Sequence, residues 1–208
     1  MNLHELTLAS EGLDEAGYLE RHMWPALVFL TETARLEDTP AHDTVRPMTI
    51  NELVERTRSR RMTEPIPTPG SSTSPTVQGD LKANAPQAVT PSSTVFFLEK
   101  SSRNPFGSLI TVGRATNNDI VLPLRTVSKM HAYFMGASGP AWKVTDQHSA
   151  NGTFVDGFKL PGGSGANLSD NAHIAFGADA QCRFLEPKGL WKLIVTCRDH
   201  VVRPDRPG

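Results

Sequence analysis

The apolar positions along this chain fall into three textures. Near the start, Leu19, Met23, Ala26, Leu27, Leu30 and Ala34 recur at three- and four-residue spacing, which predicts helix. Pro25 lies inside that run and predicts a kink or two shorter pieces. A further helix is predicted from Thr49, which together with Glu52 has the spacing of a capping box. Ile50, Leu53 and Val54 would form its apolar face, and Glu52 and Arg56 stand four apart in the favourable order for an ion pair. Residues 1–62 therefore read as a small helical segment.

The second texture, residues 63–93, holds almost no large apolar side chains. Pro65, Pro67, Pro69, Pro75, Pro86 and Pro91 are spaced among Ser, Thr, Gly and Ala. Such a stretch cannot bury enough surface to offset its ordering entropy, and it reads as a disordered linker, partly extended by its prolines. From Thr94 the pattern changes to short β-prone runs separated by turn residues: 95–99, 109–114, 119–122, 131–135, 141–146, 153–156, 173–176 and 182–185. Asn151-Gly152 and Asp156-Gly157 are tight-turn signals. Many short strands at this spacing predict an all-β sandwich or barrel over residues 94–187. In residues 188–208, Leu190, Trp191, Leu193, Ile194 and Cys197 predict a short amphipathic helix followed by a Pro-rich tail.

Composition narrows the function classes. The formal net charge is −1 over 208 residues, so no global field draws the chain to nucleic acid or an anionic membrane. Any anion binding has to be local. Cys182 and Cys197 form no CxxC pair and have no His/Cys cluster around them; they read as two reduced thiols, with no metal site and no cofactor expected. The first ten residues lack a basic start and an apolar run, and Met23–Leu30 is too short to span a bilayer, so a cytoplasmic protein with no membrane contact is expected. The arginines at 56, 58, 60 and 61 read as the solvated end of a helix, where cations are favoured, and nucleic acid is not expected as a partner.

Four small constellations carry the candidate chemistry: Gly113-Arg114; Asn118-Asp119-Ile120-Val121-Leu122; Ser128-Lys129-Met130-His131; and the run from Asp146 to Thr153, followed by Asp156-Gly157. Taken singly, Arg114 reads as a surface ion-pair residue, Ser128 as a turn cap, His131 as a structural histidine and Asn151-Gly152 as a hairpin turn. Taken in order, they resemble the forkhead-associated (FHA) family, whose pattern is Gly-Arg, Asn-Asp-Ile-x-Leu, Ser-x-x-His and Asp-x-x-Ser-x-Asn-Gly-Thr. The resemblance covers about the residues of the β region and is silent on residues 1–90. It implies an FHA-type sandwich of about eleven strands whose loops at one end bind a phosphothreonine peptide. It implies that Arg114 and Ser128 contact the phosphate, that Asn151 holds the peptide main chain, and that His131 braces the Ser128 loop. Gly113 and Gly152 would permit tight turns, with Thr153 supporting the site.

The residue types suit that chemistry. A phosphomonoester carries close to two negative charges and three acceptor oxygens. A planar guanidinium matches it with a fork of donors, a serine hydroxyl adds one directed donor, and an asparagine amide can both donate and accept. Lys129, beside Ser128, offers a second cation. Three or four charge-assisted hydrogen bonds, less the cost of ordering a peptide, give an affinity on the order of micromolar. One position departs from a common family variant: the residue before Asn151 is often a threonine able to reach the phosphate, and here it is Ala150.

The expected function is a non-enzymatic signalling adaptor, with threonine-phosphorylated proteins as partners and a Ser/Thr protein kinase upstream. Asp146, His148 and Ser149 have the composition of a catalytic triad but crowd one turn, and no GxSxG elbow is present. Gly162-Gly163-Ser164-Gly165 lacks the Lys-Ser/Thr of a phosphate loop and reads as a mobile surface loop. The alternative is a phospho-independent scaffold or regulator that uses its N-terminal helices for oligomer or nucleic-acid contacts. Thr68, Thr73 and Thr76 in the linker are candidate phosphorylation sites that could serve as an intramolecular ligand.

Overall fold

Several strands between residues 94 and 187 follow the period-two rule of a sheet with one face on the core, β5 most plainly. In the run Ala132-Tyr133-Phe134-Met135, Ala132 and Phe134 are wholly buried while Met135 is exposed. The same alternation sends Ile110 and Val112, Ile174 and Phe176, and Cys182 and Phe184 into one shared core. The protein is described by a computed structural model over residues 1–30, 89–136 and 141–202, with side chains described through Asp199.

Eleven strands are formed by these residues: β1 (Ala26–Phe29), β2 (Val95–Phe97), β3 (Ile110–Gly113), β4 (Ile120–Val121), β5 (Ala132–Met135), β6 (Lys143–Asp146), β7 (Thr153–Val155), β8 (Phe158–Lys159), β9 (Gly165–Asn167), β10 (His173–Phe176) and β11 (Ala180–Leu185). They make a six-stranded sheet in the order β2-β1-β11-β10-β7-β8 and a five-stranded sheet in the order β4-β3-β5-β6-β9. The pairing is antiparallel except between β3 and β4, where Val112 and Ile120 face each other in parallel. The two sheets close over the core that holds Phe29, Phe134, Phe176 and Phe184.

Among the described residues, three helices stand outside the sandwich: α1 (Leu3–Ala9), α2 (Glu15–Arg21) and α3 (Pro187–Val202). Asn2 caps α1 through its side chain, which accepts from the Glu5 N–H at 2.8 Å while the Glu5 carboxylate returns a bond to the Asn2 N–H, so that two otherwise unpaired donors are satisfied reciprocally. Asp14 caps α2 through the Gly17 N–H. Their apolar faces, Leu3, Leu6 and Tyr18, meet Leu190, Trp191 and Ile194 of α3 in a second core. Tyr18 and Trp191 lie 5.1 Å apart, and His22 stacks on Phe97 at 5.2 Å.

The N-terminal segment corrects the sequence expectation. The apolar run around Ala26 and Leu27 is not helical: it is strand β1, lying between β2 and β11, with Leu27 opposite both Phe96 and Phe184. The cause is burial on both faces. Leu27 and Phe29 enter the core between the sheets, while Ala26 and Val28 enter the second core under the helices. Such a strand has no polar face to alternate with, and its unbroken apolar run imitates helical spacing. The helix that precedes it, α2, has ended by His22, in keeping with the bias against helix ahead of Pro25.

Three smaller differences follow from the same geometry. Asp156-Gly157 does form the tight turn of the β7–β8 hairpin, with Asp156 and Gly157 both at positive φ. Asn151-Gly152, the other turn signal, instead lies on the crossover from β6 in one sheet to β7 in the other. The glycine run at 162–165 does not stand free: the Gly163 N–H donates to the Asp146 carbonyl and Gly165 pairs with Thr145 as the start of β9. At the end of the Pro-rich stretch, Pro91 and Ser93 accept the N–H groups of His4 and Leu3, which docks this part of the chain on α1. The Thr49 capping box, the arginines at 56–61 and Thr68, Thr73 and Thr76 lie outside the described residues.

Candidate functional site

The site is assembled from loops at one end of the sandwich. The residues after β3 carry Arg114, the β4–β5 connection carries Ser128 and Lys129, and the β6–β7 crossover carries Ala150 and Asn151. Backbone bonds lace the first two together: the Arg114 N–H donates to the Ser128 carbonyl at 3.0 Å and the Ala115 N–H to the Lys129 carbonyl at 3.1 Å. Asn118 reinforces this seam from the side, its amide donating to Ala115 and Lys129 carbonyls at 2.8 and 2.7 Å. At Gly113 an added methyl group would overlap the Lys129 carbonyl, so only glycine lets the two loops approach this closely.

Ser128 is tied to the third loop. Its hydroxyl oxygen accepts the Ala150 N–H at 3.0 Å, which leaves the hydroxyl hydrogen available to a ligand. His131 lies wholly buried beneath these loops. Its Nδ1 accepts the Ser128 N–H at 3.0 Å, so the ring proton resides on Nε2 and is donated to the Gly152 carbonyl at 3.1 Å. The ring thus bridges the two loops as a neutral imidazole. Burial holds it below its ordinary pKa, outweighing the opposing pull of the Gly152 carbonyl and Asp146.

Asp146 organises the third loop from below. Its carboxylate accepts the Ser149 hydroxyl at 2.6 Å, the Ser149 N–H at 3.1 Å and the Thr153 hydroxyl at 2.7 Å. Thr153, expected as a support of the site, is fully buried in this arrangement. The Ser149 hydroxyl donates to a carboxylate and not to a histidine, so Asp146, His148 and Ser149 are a turn and not a nucleophile with its base. Asp119, likewise buried, collects the N–H groups of Ser101 and Thr111 and the Asn104 amide, and so pins the loop between β2 and β3 against the strand that leads to Arg114.

The structure brings together the loops bearing Arg114, Ser128, Lys129 and Asn151. Arg114 is half-buried, whereas Lys129 and Asn151 are exposed. The Asn151 amide donates to the Thr126 carbonyl at 2.7 Å. Sequence reasoning passed over Thr126 and, with it, the β10–β11 turn: the Thr126 hydroxyl donates to Asp179 at 2.9 Å and the Gly177 N–H donates to the Gly152 carbonyl at 2.9 Å. The only local signal was Gly177 itself, a glycine between two β-prone runs. The two thiols lie away from this end, Cys182 in the core of β11 and Cys197 on α3, and burial raises the pKa of both. Among the described residues no group of His, Cys, Asp and Glu could hold a metal ion, and no helix is long and apolar enough to cross a membrane.

A family model, the FHA domain, matches residues 110–177, from the first residue of β3 to the turn after β10. Among solved structures, Mycobacterium tuberculosis EmbR in complex with a low affinity phosphopeptide is 27% identical with a TM-score of 0.39, over 46% of this chain and 22% of that one. The FHA domain of the CT664 protein from Chlamydia trachomatis is 26% identical with a TM-score of 0.38, over 45% of this chain and 85% of that one. The FHA domain of an Arabidopsis thaliana hypothetical protein is 26% identical with a TM-score of 0.38, over 45% and 74%. The chain thus spans less than a quarter of the EmbR chain, and no curated protein matches it. The segment that the FHA domain model matches, residues 110–177, holds the motif residues Gly113 to Thr153 and lies within the two-sheet sandwich.

Proposed function

We propose that this chain is a phosphothreonine-peptide-binding adaptor that acts downstream of a Ser/Thr protein kinase, without enzymatic activity and in the cytoplasm. Arg114 and Ser128 hold the phosphate, Lys129 adds positive charge at its rim, and Asn151 holds the peptide main chain. Gly113, His131, Gly152 and Thr153 keep the loops in place. The observation that carries this reading is the seam between the Arg114 and Ser128 loops, from the Arg114 N–H to the Ser128 carbonyl. It sets a guanidinium-bearing residue beside a hydroxyl whose hydrogen its Ala150 contact does not use. Such a pairing suits a dianion that needs a fork of charged donors and one directed O–H. With Ala150 in place of a threonine, one hydrogen bond to the phosphate is absent, and affinity on the order of micromolar is expected.

The test is binding of a phosphothreonine peptide library to the full chain and to Arg114→Ala. Binding that requires both the phosphate and Arg114 supports the reading. A folded protein that binds peptides equally with and without phosphate overturns it in favour of a scaffold. The scaffold reading draws on the N-terminal helices, but Leu3, Leu6 and Tyr18 are already spent on the second core, which weighs against a free docking face there.

A further inference from the structure

The peptide-gripping amide of Asn151 is not held by its own loop. Its Nδ2 lies 2.7 Å from the Thr126 carbonyl oxygen, a distance that only the nitrogen end of the amide tolerates, since two oxygens would repel. The contact therefore fixes which end of the amide faces Thr126 and leaves its oxygen and second hydrogen for a ligand. Thr126 in turn is held from the far side: its hydroxyl donates to the Asp179 carboxylate at 2.9 Å, across the gap to the β10–β11 turn. That turn is drawn in by the Gly177 N–H on the Gly152 carbonyl at 2.9 Å, the same carbonyl that accepts from His131. Gly177, at φ +69, sits so close to the Thr126 carbonyl and Asn151 Cβ that an added methyl group would lie 3.1 and 3.3 Å from them.

Thr126 is thus the point where three loops meet: its own, the Asn151 loop and the β10–β11 turn. We infer that Thr126 and Asp179 are positioning residues of the phosphopeptide site, which set the orientation of the Asn151 amide from the β10–β11 turn without touching the phosphate. The inference deepens the proposed function and rests on it. Holding Asn151 before the peptide arrives removes part of the rotamer entropy that binding would otherwise cost. Severing the Thr126–Asp179 bond frees the Thr126 carbonyl to drift and the amide with it. The loss should therefore appear in peptide affinity and at the Asn151 amide.

The experiment is calorimetric titration of the full chain with a phosphothreonine peptide selected from the library, together with NMR of the Asn151 side-chain amide in the free protein. Thr126→Val keeps the shape and removes the hydroxyl; Thr126→Ser keeps the hydroxyl. Thr126→Val and Asp179→Ala are each expected to weaken binding roughly three- to tenfold, the value of one hydrogen bond. The double variant should be no weaker than the weaker single by more than about twofold, because both changes cut the same link. Thr126→Ser should bind within about twofold of the parent, and the Asn151 amide signals should move in Thr126→Val but not in Thr126→Ser. A Thr126→Val protein that binds like the parent with its Asn151 amide unmoved overturns the inference and leaves the function standing. Fully additive losses in the double variant overturn it as well. A parent chain that binds no phosphopeptide overturns the functional reading and this inference together.

Discussion

At the scale of single residues the proposed site depends on two side chains of opposite character, the half-buried Arg114 and the wholly buried His131. Arg114→Ala is expected to lower phosphopeptide affinity at least about a hundredfold, since it removes charge-assisted bonds worth about 1.5–3 kcal/mol each. Arg114→Lys should retain part of the binding, as a point charge lacks the planar fork. His131→Ala acts from beneath. It strands the Ser128 N–H, takes from the Gly152 carbonyl one of its two donors and opens a cavity, so a loss of about 2–4 kcal/mol in unfolding free energy is expected by denaturant titration. The same ring makes stability pH-dependent. His131, His22 and His173 are all held below their ordinary pKa, chiefly by burial. Over a window beginning near pH 6.5 the unfolded chain binds protons that the native chain refuses, so stability is complete above that window and declines as pH falls. Thermal unfolding at pH 5.5 should therefore fall below that at pH 7.5, and His131→Ala should flatten the difference.

At the scale of elements, β1 decides whether the sandwich closes. It supplies Leu27 and Phe29 to one core, Ala26 and Val28 to the other, and the pairing partner of β11. Leu27→Ala is expected to cost about 2–5 kcal/mol, the usual range for emptying a fully buried leucine site. A protein limited to residues 94–187 would leave the β11 edge unpaired and the faces of Val95 and Leu185 bare. It should show no cooperative thermal transition, whereas the full chain should show one; a sharp transition in the shortened protein would refute the assignment of β1 to the sandwich.

At the scale of the whole molecule, β1 ends at Phe29 and the strand beside it in the sheet, β2, begins at Val95. Residues 31–88 fall in the connection between these adjacent strands, and the entropic cost of closing a flexible connection grows only with the logarithm of its length. Replacing residues 31–88 with a short Gly/Ser connection from Leu30 to Val89 is expected to preserve the fold and phosphopeptide binding and to change stability by no more than about 1–2 kcal/mol. A collapse of the thermal transition in that protein would show that the replaced residues contribute packing of their own.

The sequence by itself determined the parts of this protein that rest on local rules. Short β-prone runs bounded by turn residues located strands such as β5. The Asp156-Gly157 pair located its hairpin, and the ordered residues from Gly113 to Thr153 carried the resemblance to the FHA domain family and the candidate ligand contacts it implies. What tertiary structure alone decided are the features whose causes are distant in the chain. Strand β1 has apolar surroundings on both faces, so its pattern has no period to read, and its partners at Val95 and Phe184 lie far along the chain. Asn151-Gly152 carries the same local signal as a hairpin turn, yet the route from one sheet to the other made it a crossover. Thr126 and Asp179 are an ordinary threonine and an ordinary aspartate until the packing of the two sheets sets the β4–β5 and β10–β11 loops side by side, and a hydrogen bond between them has no trace in the order of the residues.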